Sequence, residues 1–213
     1  MNYLILSIIS LLFCTESFAA ATDNSLPPNV VKVTKENNPN CVEYYNYKGA
    51  MYCSLMTIDT KPMDPQLLSY EKQDLKFDNR AWKAVWGEHK EAITTIEYIP
   101  VGQNINHWQE LVTSQFIPGL AEVSAKEFAN RFLNDLKKSG VVYSSHFIEK
   151  QGKTVIFEFQ VQQPKNLQQD ELQKIIKGSD GIYVLHYAIK KEDMGAKNRQ
   201  KWFKLLKNST LKN

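Results

Sequence analysis

Residues 124–161, SAKEFANRFLNDLKKSGVVYSSHFIEKQGKTVIFEFQV, join the most regular helical pattern of the chain to a strand–turn–strand pattern. Ser124, with Glu127 three positions later, forms a capping box, and apolar residues then recur at helical spacing. Two β-rich runs follow at 141–149 and 153–161, and the three residues between them end in glycine, which is typical of a β-hairpin. The stretch therefore predicts a helix packed against a sheet that contains this hairpin.

On either side of this stretch the sequence continues to alternate between β-rich and helical runs. Arg80–Trp86 and Ala92–Ile99 are β-rich and are separated by a segment of hairpin length. The other predicted elements are a short helix opened by Asn106 with Gln109 at its third position, a helix at Gln168–Lys177, a strand at Ile182–Ile189 and a last helix at about Asp193–Asn208. The order β-β-α-α-β-β-α-β-α predicts an α+β fold in which helices cover an antiparallel β-sheet.

A set of aromatic, apolar and turn residues between Leu75 and Leu211 is typical of one group of proteins. The set comprises Trp82 and Trp86, residues 97–100 (EYIP), 108–113 (WQELVT), 157–159 (FEF) and 171–178 (ELQKIIKG), Tyr187, and Arg199 to Trp202. In this set the chain resembles small exported bacterial proteins of unassigned function, whose layout is similar to PsbP-like α/β sandwiches. The resemblance implies a layered sandwich that serves in binding or assembly, and it brings no catalytic residues.

Composition and charge limit the classes of protein that this chain can belong to. Of the 213 residues, 43% are hydrophobic and 23% are charged, which excludes a disordered, collagen-like or multi-span membrane protein. A net charge of +3 is too small to indicate nucleic-acid binding. The charge is unevenly spread, since residues 190–213 carry +6 and residues 20–189 carry −2. The chain is therefore expected to have a slightly acidic body and a basic C-terminal helix.

Residues 1–19 are predicted to be a cleaved signal peptide. The apolar run at 4–13 is shorter than a membrane span, and Ser17 and Ala19 place small residues at positions −3 and −1 of a cleavage site. Cleavage after Ala21 is an alternative. The other alternative to a signal peptide is a buried N-terminal strand. No later run is long and apolar enough to span a membrane. We expect an exported, soluble mature protein that is secreted or periplasmic.

Removal of the signal peptide leaves two cysteines, Cys41 and Cys53. In an oxidising compartment this pair predicts one disulfide, which closes a loop of about 12 residues and stabilises the fold by about 2–3 kcal/mol. The spacing is too wide for a redox C-x-x-C motif and lacks the further ligands of a zinc site. Cys14 follows two bulky residues, which does not fit a lipid-anchored cysteine. We expect a cystine-stabilised N-terminal extension at 20–74 and a main α+β domain at 75–213.

Motifs for nucleophilic, nucleotide or metal chemistry are missing from the sequence. It has no G-x-S-x-G elbow, no glycine-rich phosphate loop and no H-E-x-x-H pair. The four histidines, His89, His107, His146 and His186, do not have the spacing of metal ligands, although His146 and His186 could share a sheet face. The sequence therefore predicts no metal and no cofactor.

Two glutamates carry the remaining catalytic hypothesis. Glu97 and Glu158 lie in β-rich runs, and a carboxylate on a covered sheet face must find a partner or have its pKa raised. Either could serve as a general acid or base. The structural interpretation starts from Arg199, which helical spacing places on the apolar side of the last helix. We expect Arg199 to form a structural ion pair with Glu158 or Glu171, since its planar fork suits a carboxylate.

Tyrosines near the cysteines and lysines of the last helix form the candidate binding surface. These residues are Tyr44, Tyr45, Tyr47, Tyr52, Lys197, Lys201 and Lys204. The tyrosines offer amphipathic contact area, but they could instead pack a small lobe. We expect an exported binding or secreted effector-type protein without enzymatic activity, with a protein or polysaccharide partner and no nucleic acid. The alternatives are an exported hydrolase or carbohydrate-active enzyme and a periplasmic assembly factor. The sequence sets no oligomeric state.

Overall fold

The computed structural model describes residues 30–34, 43–47, 50–54 and 63–212. The N-terminal part contributes a small antiparallel sheet with the order β1-β3-β2. Its strands are β1 (Val30–Val33), β2 (Glu43–Tyr47) and β3 (Ala50–Ser54). The predicted signal peptide lies outside the described residues.

The main element is a seven-stranded antiparallel sheet with short segments around it. The elements in chain order are a 3₁₀ helix (Pro65–Tyr70), β4 (Gln73–Asp74), β5 (Trp82–Lys90), β6 (Ile93–Pro100), a 3₁₀ helix (Ile105–His107), β7 (Glu110–Pro118), α1 (Ala125–Lys138), β8 (Val142–Gln151), β9 (Thr154–Gln163), a 3₁₀ helix (Lys165–Leu167), β10 (Gln169–Lys177), β11 (Gly181–Ile189), α2 (Ala196–Asn208) and β12 (Thr210–Leu211). The main sheet has the order β5-β6-β7-β11-β10-β9-β8, and β4 pairs with β12.

Helix α1 covers one face of the main sheet over β8, β9 and β10. The Ser124 side chain accepts a hydrogen bond from the Glu127 N–H at 3.1 Å, which confirms the capping box. At the other end Gly140 has a φ of 82°, a conformation that glycine adopts without steric cost and that ends the helix. Phe128 and Phe132 of the helix are buried against an apolar cluster that includes Phe157 of β9. This cluster fixes α1 on that side of the sheet.

Helix α2 packs on the opposite face. Trp202 is 1% exposed, and its ring stacks on Tyr187 of β11 with a centroid distance of 3.9 Å. The end of the helix is held by Lys174 of β10, whose Nζ donates hydrogen bonds to the backbone oxygens of Leu206, Lys207 and Ser209 at 2.6–3.0 Å. A lysine at a helix C-terminus satisfies free carbonyls and complements the helix dipole. The strand and the helix are therefore fixed to each other by a charged cap.

The predicted fold class, an α+β PsbP-like sandwich, is wrong because two of the four predicted helices lie in segments that are mainly strand. The segment predicted as a helix at Gln168–Lys177 is β10, the central strand between β9 and β11. Its residues are good helix formers, but long-range pairing with two neighbours outweighs that local preference. The segment after Asn106 is likewise a short 3₁₀ helix followed by β7. The described protein is mostly β, with one α-helix on each face of an antiparallel sheet.

The structure also tests the predicted hairpins, the predicted cystine and the predicted absence of a membrane span. The hairpin of β8 and β9 and the strand β11 are confirmed, whereas the turn between β5 and β6 lies at residues 91–92, because β5 continues to Lys90. Cys53 is fully buried, but Cys41 lies outside the described residues. The predicted Cys41–Cys53 pairing, and with it the cystine-stabilised extension, therefore falls partly outside the described residues. Within the described ranges, no helix is long and apolar enough to span a membrane.

Candidate functional site

A row of polar side chains crosses the face of the main sheet beside α1. Strand register places Glu97 of β6 opposite Thr113 of β7, Thr113 opposite His186 of β11, and His186 opposite Gln173 of β10. The next position in this row is Phe157, where α1 covers the sheet. Because adjacent strands are about 4.8 Å apart, the backbones at Glu97 and His186 lie about 10 Å apart. Thr113 of the intervening strand β7 therefore separates Glu97 from His186 in this row.

The row forms the floor of a cleft between the sheet and α1. The cleft is small, with a volume of about 30 Å³ once the open solvent at its mouth is left out. Its polar residues are Glu97, Thr113, Gln115, Gln169, Glu171, Gln173 and His186, and its aromatic wall consists of Trp108, Phe128 and Phe132. A concave site with an apolar wall and a few convergent polar groups is the usual form of a small-molecule site.

Glu171 and His186 form a buried pair in this cleft. Their side chains are 5% and 12% exposed, and the imidazole Nδ1 lies 2.7 Å from Glu171 Oε1. Because an ionised carboxylate can only accept, Nδ1 carries a proton in this pair. In the neutral ring Nε2 is then an acceptor, and it has no hydrogen-bond partner among the described residues. The pair thus orients one imidazole nitrogen that is free to bind a donor.

Gln173 has a similar free acceptor. Its Nε2 donates to Glu171 Oε1 at 2.7 Å, and Gln169 Nε2 donates to the other carboxylate oxygen at 3.2 Å. Gln173 is only 3% exposed, yet its Oε1 has no hydrogen-bond partner within the described ranges. A buried acceptor without a partner costs about 1–3 kcal/mol. Such a cost at a concave surface is typical of a site that is completed by a ligand.

Glu97 completes the acceptor row at the β6 end. It is 7% exposed, and burial raises the pKa of its carboxyl to about 7, while the charge of His186 opposes part of that rise. Within the described residues it makes no hydrogen bond, and the nearby His186 imidazole offsets the effect of burial only in part. Among those same residues no group of three or more His, Cys, Asp or Glu side chains could hold a metal ion.

Arg199 lies on the opposite face, in a separate network. Its Nε is 2.7 Å from Glu158 Oε1, and its Nη2 is 3.3 Å from Asp170 Oδ2 and 2.6 Å from Asp193 Oδ1. Glu158 and Asp170 are almost fully buried. Burial and the neighbouring Asp170 raise the pKa of Glu158 to about 7, against the opposing effect of Arg199. This geometry is that of a structural cluster that ties α2 to β9 and β10.

The other predicted site residues lie on different faces of the sheet. Glu171 faces the cleft and not Arg199, so Glu97 and Glu171 share one face of the sheet while Glu158 lies on the other. His146 is beside Glu158 at 3.4 Å and does not meet His186. His89 stacks on Tyr70 with a centroid distance of 3.7 Å. The two glutamates of the catalytic hypothesis therefore cannot act together.

The predicted binding surface is only partly described. The side chains of Tyr44, Tyr45 and Tyr47 lie outside the described part of the chain, and Tyr52 is half-buried. On α2, Lys197 and Lys204 are exposed, and Lys201 donates to Asp78 at 2.8 Å. The described residues therefore do not place the tyrosines next to the lysines.

Sequence reasoning missed the Glu171–His186 pair because β10 was expected to be a helix. In a strand, Gln169, Glu171 and Gln173 are successive residues on one face, so their i, i+2 spacing is the signal that identifies the cleft. In a helix Gln169 and Gln173 share one face, and Glu171 points away from them. The prediction of a helix at this position therefore did not place these three residues in one site.

Fold and site together define a mostly β protein with an acceptor-rich cleft between its antiparallel sheet and one helix. The sequence profile of a protein family matches residues 70–213, and the chain belongs to that family, which is uncharacterised. The match spans the whole main sheet, both helices and every cleft residue. A comparison with curated proteins found no match.

Proposed function

We propose that the protein is an exported, non-enzymatic binding protein whose small polar ligand occupies the cleft beside α1. The observation that carries this proposal is the pair of buried atoms without partners, Gln173 Oε1 and His186 Nε2, on the floor of a concave site. A folded protein rarely leaves such atoms unsatisfied unless something else binds them. The sequence shows no nucleophile motif, and the cleft contains neither serine nor cysteine, which favours binding over acyl transfer.

Binding in the cleft is tested by NMR on the side chain of His186. We expect at least one of three probes, D-glucose, succinate or n-butylammonium chloride, to shift the His186 imidazole signals in a saturable way. His146 is a matched internal control, since its side chain is 63% exposed on the other face of the sheet. The proposal fails if no probe shifts His186, or if both histidines shift in parallel. New product signals from a probe after overnight incubation would contradict the non-enzymatic part.

Export is tested separately by mass spectrometry of the protein produced in a Gram-negative host. We expect the periplasmic fraction or the medium to contain a chain that begins at residue 20 or 22. Ala19→Arg should abolish this processing, because it places a large charged residue at −1 of the first cleavage site and at −3 of the second. Ser25→Arg, downstream of both sites, is the control and should be processed normally. An unprocessed wild-type chain in the cytoplasm would refute export.

A further inference from the structure

We propose that the ligand of the cleft is a small organic cation, a primary ammonium or guanidinium group on a short apolar stem. This inference rests on the proposed function and specifies the chemistry of its ligand. It follows from three independent properties of the cleft: which hydrogen-bonding atoms are free, which charges line it, and what forms its wall.

Each cleft glutamine uses one N–H of its side-chain amide in a hydrogen bond within the protein. Gln115 Nε2 donates to Thr95 Oγ1 at 3.3 Å, and the Nε2 atoms of Gln169 and Gln173 both donate to Glu171. The Nδ1 atom of His186 donates to the same carboxylate. The Glu171 side chain thus accepts three hydrogen bonds and holds its neighbours in place. It orients the site and needs nothing further from a ligand.

Two buried atoms of the cleft have no hydrogen-bond partner among the described residues, the Oε1 of Gln173 and the Nε2 of His186, and both are acceptors while the His186 ring is neutral. The Glu97 carboxyl, a third acceptor, lies in the same lining. A ligand that satisfies all three must bring several donors and needs no acceptor. An ammonium group carries three donors and a guanidinium group five, whereas a hydroxyl group carries one. A cationic nitrogen group therefore matches the cleft best.

The charges of the cleft favour the same class. Its lining contains two carboxylates, Glu97 and Glu171, and no lysine or arginine. An anionic ligand would lose its hydration and meet two carboxylates, with the His186 ring as the one group of the lining able to carry a positive charge. A cation would instead pair with Glu97, the buried carboxyl that makes no hydrogen bond to a described residue. Hydrogen bonds between charged groups in such a desolvated position are the strong ones.

The aromatic wall suits the stem of such a ligand. Trp108, Phe128 and Phe132 present apolar surface beside the acceptor row. The Trp108 ring already attracts a cation, since the Nζ of Lys190 lies 4.6 Å from its centroid. Aromatic faces stabilise ammonium and guanidinium groups through their quadrupole. A cationic head on the acceptor row would place its apolar stem along this wall.

Isothermal titration with three molecules of nearly equal size tests the assignment. The probes are n-butylammonium, 1-butanol and butyrate, at pH 8 and at ionic strength matched with sodium chloride. We expect n-butylammonium to bind roughly tenfold more tightly than either of the others, since one charged hydrogen bond is worth about that factor. Equal or tighter binding of butanol or butyrate would refute the cation assignment while leaving a binding cleft in place. Binding of none of the three, with no shift of His186 under glucose or succinate, would refute the proposed function itself.

Two glutamate variants test whether n-butylammonium binds beside Glu97. Glu97→Gln removes the carboxylate of the cleft and is expected to weaken n-butylammonium binding roughly tenfold. Glu127→Gln is the matched control, since it removes one negative charge from the exposed face of α1, where Glu127 pairs with Arg131. It should leave the affinity unchanged. Equal weakening in both variants would show a general charge effect, and no weakening in Glu97→Gln would place the cation elsewhere; either result contradicts the assignment.

Discussion

Arg199→Ala is expected to lower the free energy of unfolding by about 3 kcal/mol at pH 8. The substitution leaves Glu158 and Asp170, which are 1% and 0% exposed, without their cation. Removing one partner of a buried ion pair leaves an uncompensated charge, and that is where the cost arises. Urea unfolding followed by circular dichroism measures the loss.

The pH dependence identifies the cause of this loss. Without Arg199, protonation of Glu158 relieves the unpaired charge, so the deficit relative to wild type should shrink between pH 8 and pH 5. Lys204→Ala is the control on the same helix, because Lys204 is exposed and makes no ion pair with a described residue. It should change stability by less than about 0.5 kcal/mol. An Arg199→Ala variant as stable as wild type would show that the ion pair contributes nothing to the fold.

Local signals in the sequence were sufficient for some elements and insufficient for others. The capping box at Ser124 and the glycine at Gly140 fix α1 by contacts within a few residues, and the structure confirms both. The β8–β9 hairpin depends on a short turn and was also predictable. These elements are determined by neighbours in sequence, which is the information that a pattern carries.

Strand β10 was not predictable in this way, because its conformation depends on β9 and β11. Its residues alternate between two buried faces, with Leu172 and Lys174 toward α2 and Glu171 and Gln173 toward the cleft. Polar residues on both faces hide the alternation that identifies a half-buried strand. The same error concealed the site, since the cleft exists only where β6, β7, β10 and β11 are side by side. The sequence could identify Glu97 as an unusual carboxylate, but not its neighbours.

Glu97→Gln is expected to raise the free energy of unfolding by about 3 kcal/mol at pH 8. In the folded protein burial raises the pKa of Glu97 from 4.5 to about 7, and each pKa unit corresponds to about 1.4 kcal/mol. Above pH 7 the folded protein must hold an ionised, buried carboxylate that makes no hydrogen bond to a described residue, a cost that the unfolded chain does not have. Glutamine has the same shape and no charge, so it removes this cost.

The sign of the pH dependence follows from the direction of that pKa shift. Because the folded pKa is the higher one, the protonated carboxyl of Glu97 contributes stability that is fully present below pH 4.5 and is lost as the pH rises through 7. The difference between Glu97→Gln and wild type should therefore be near zero at pH 4.5 and reach its maximum above pH 7. Glu158 is present in both proteins, so its own titration cancels in this difference. Urea unfolding at a series of pH values measures it, with Glu127→Gln as the control expected to show no such trend.

If Glu97→Gln raises the free energy of unfolding, that result would also indicate a role for Glu97 outside stability. A carboxylate that destabilises its own fold is retained where it serves binding or chemistry, since otherwise a neutral residue would replace it at no cost. The binding experiment predicts that the same substitution weakens n-butylammonium binding, so stability and affinity should change in opposite directions in one variant. A difference in unfolding free energy that does not change with pH would show that Glu97 is not a buried, uncompensated charge. In that case the electrostatic argument for a cationic ligand would lose its main support.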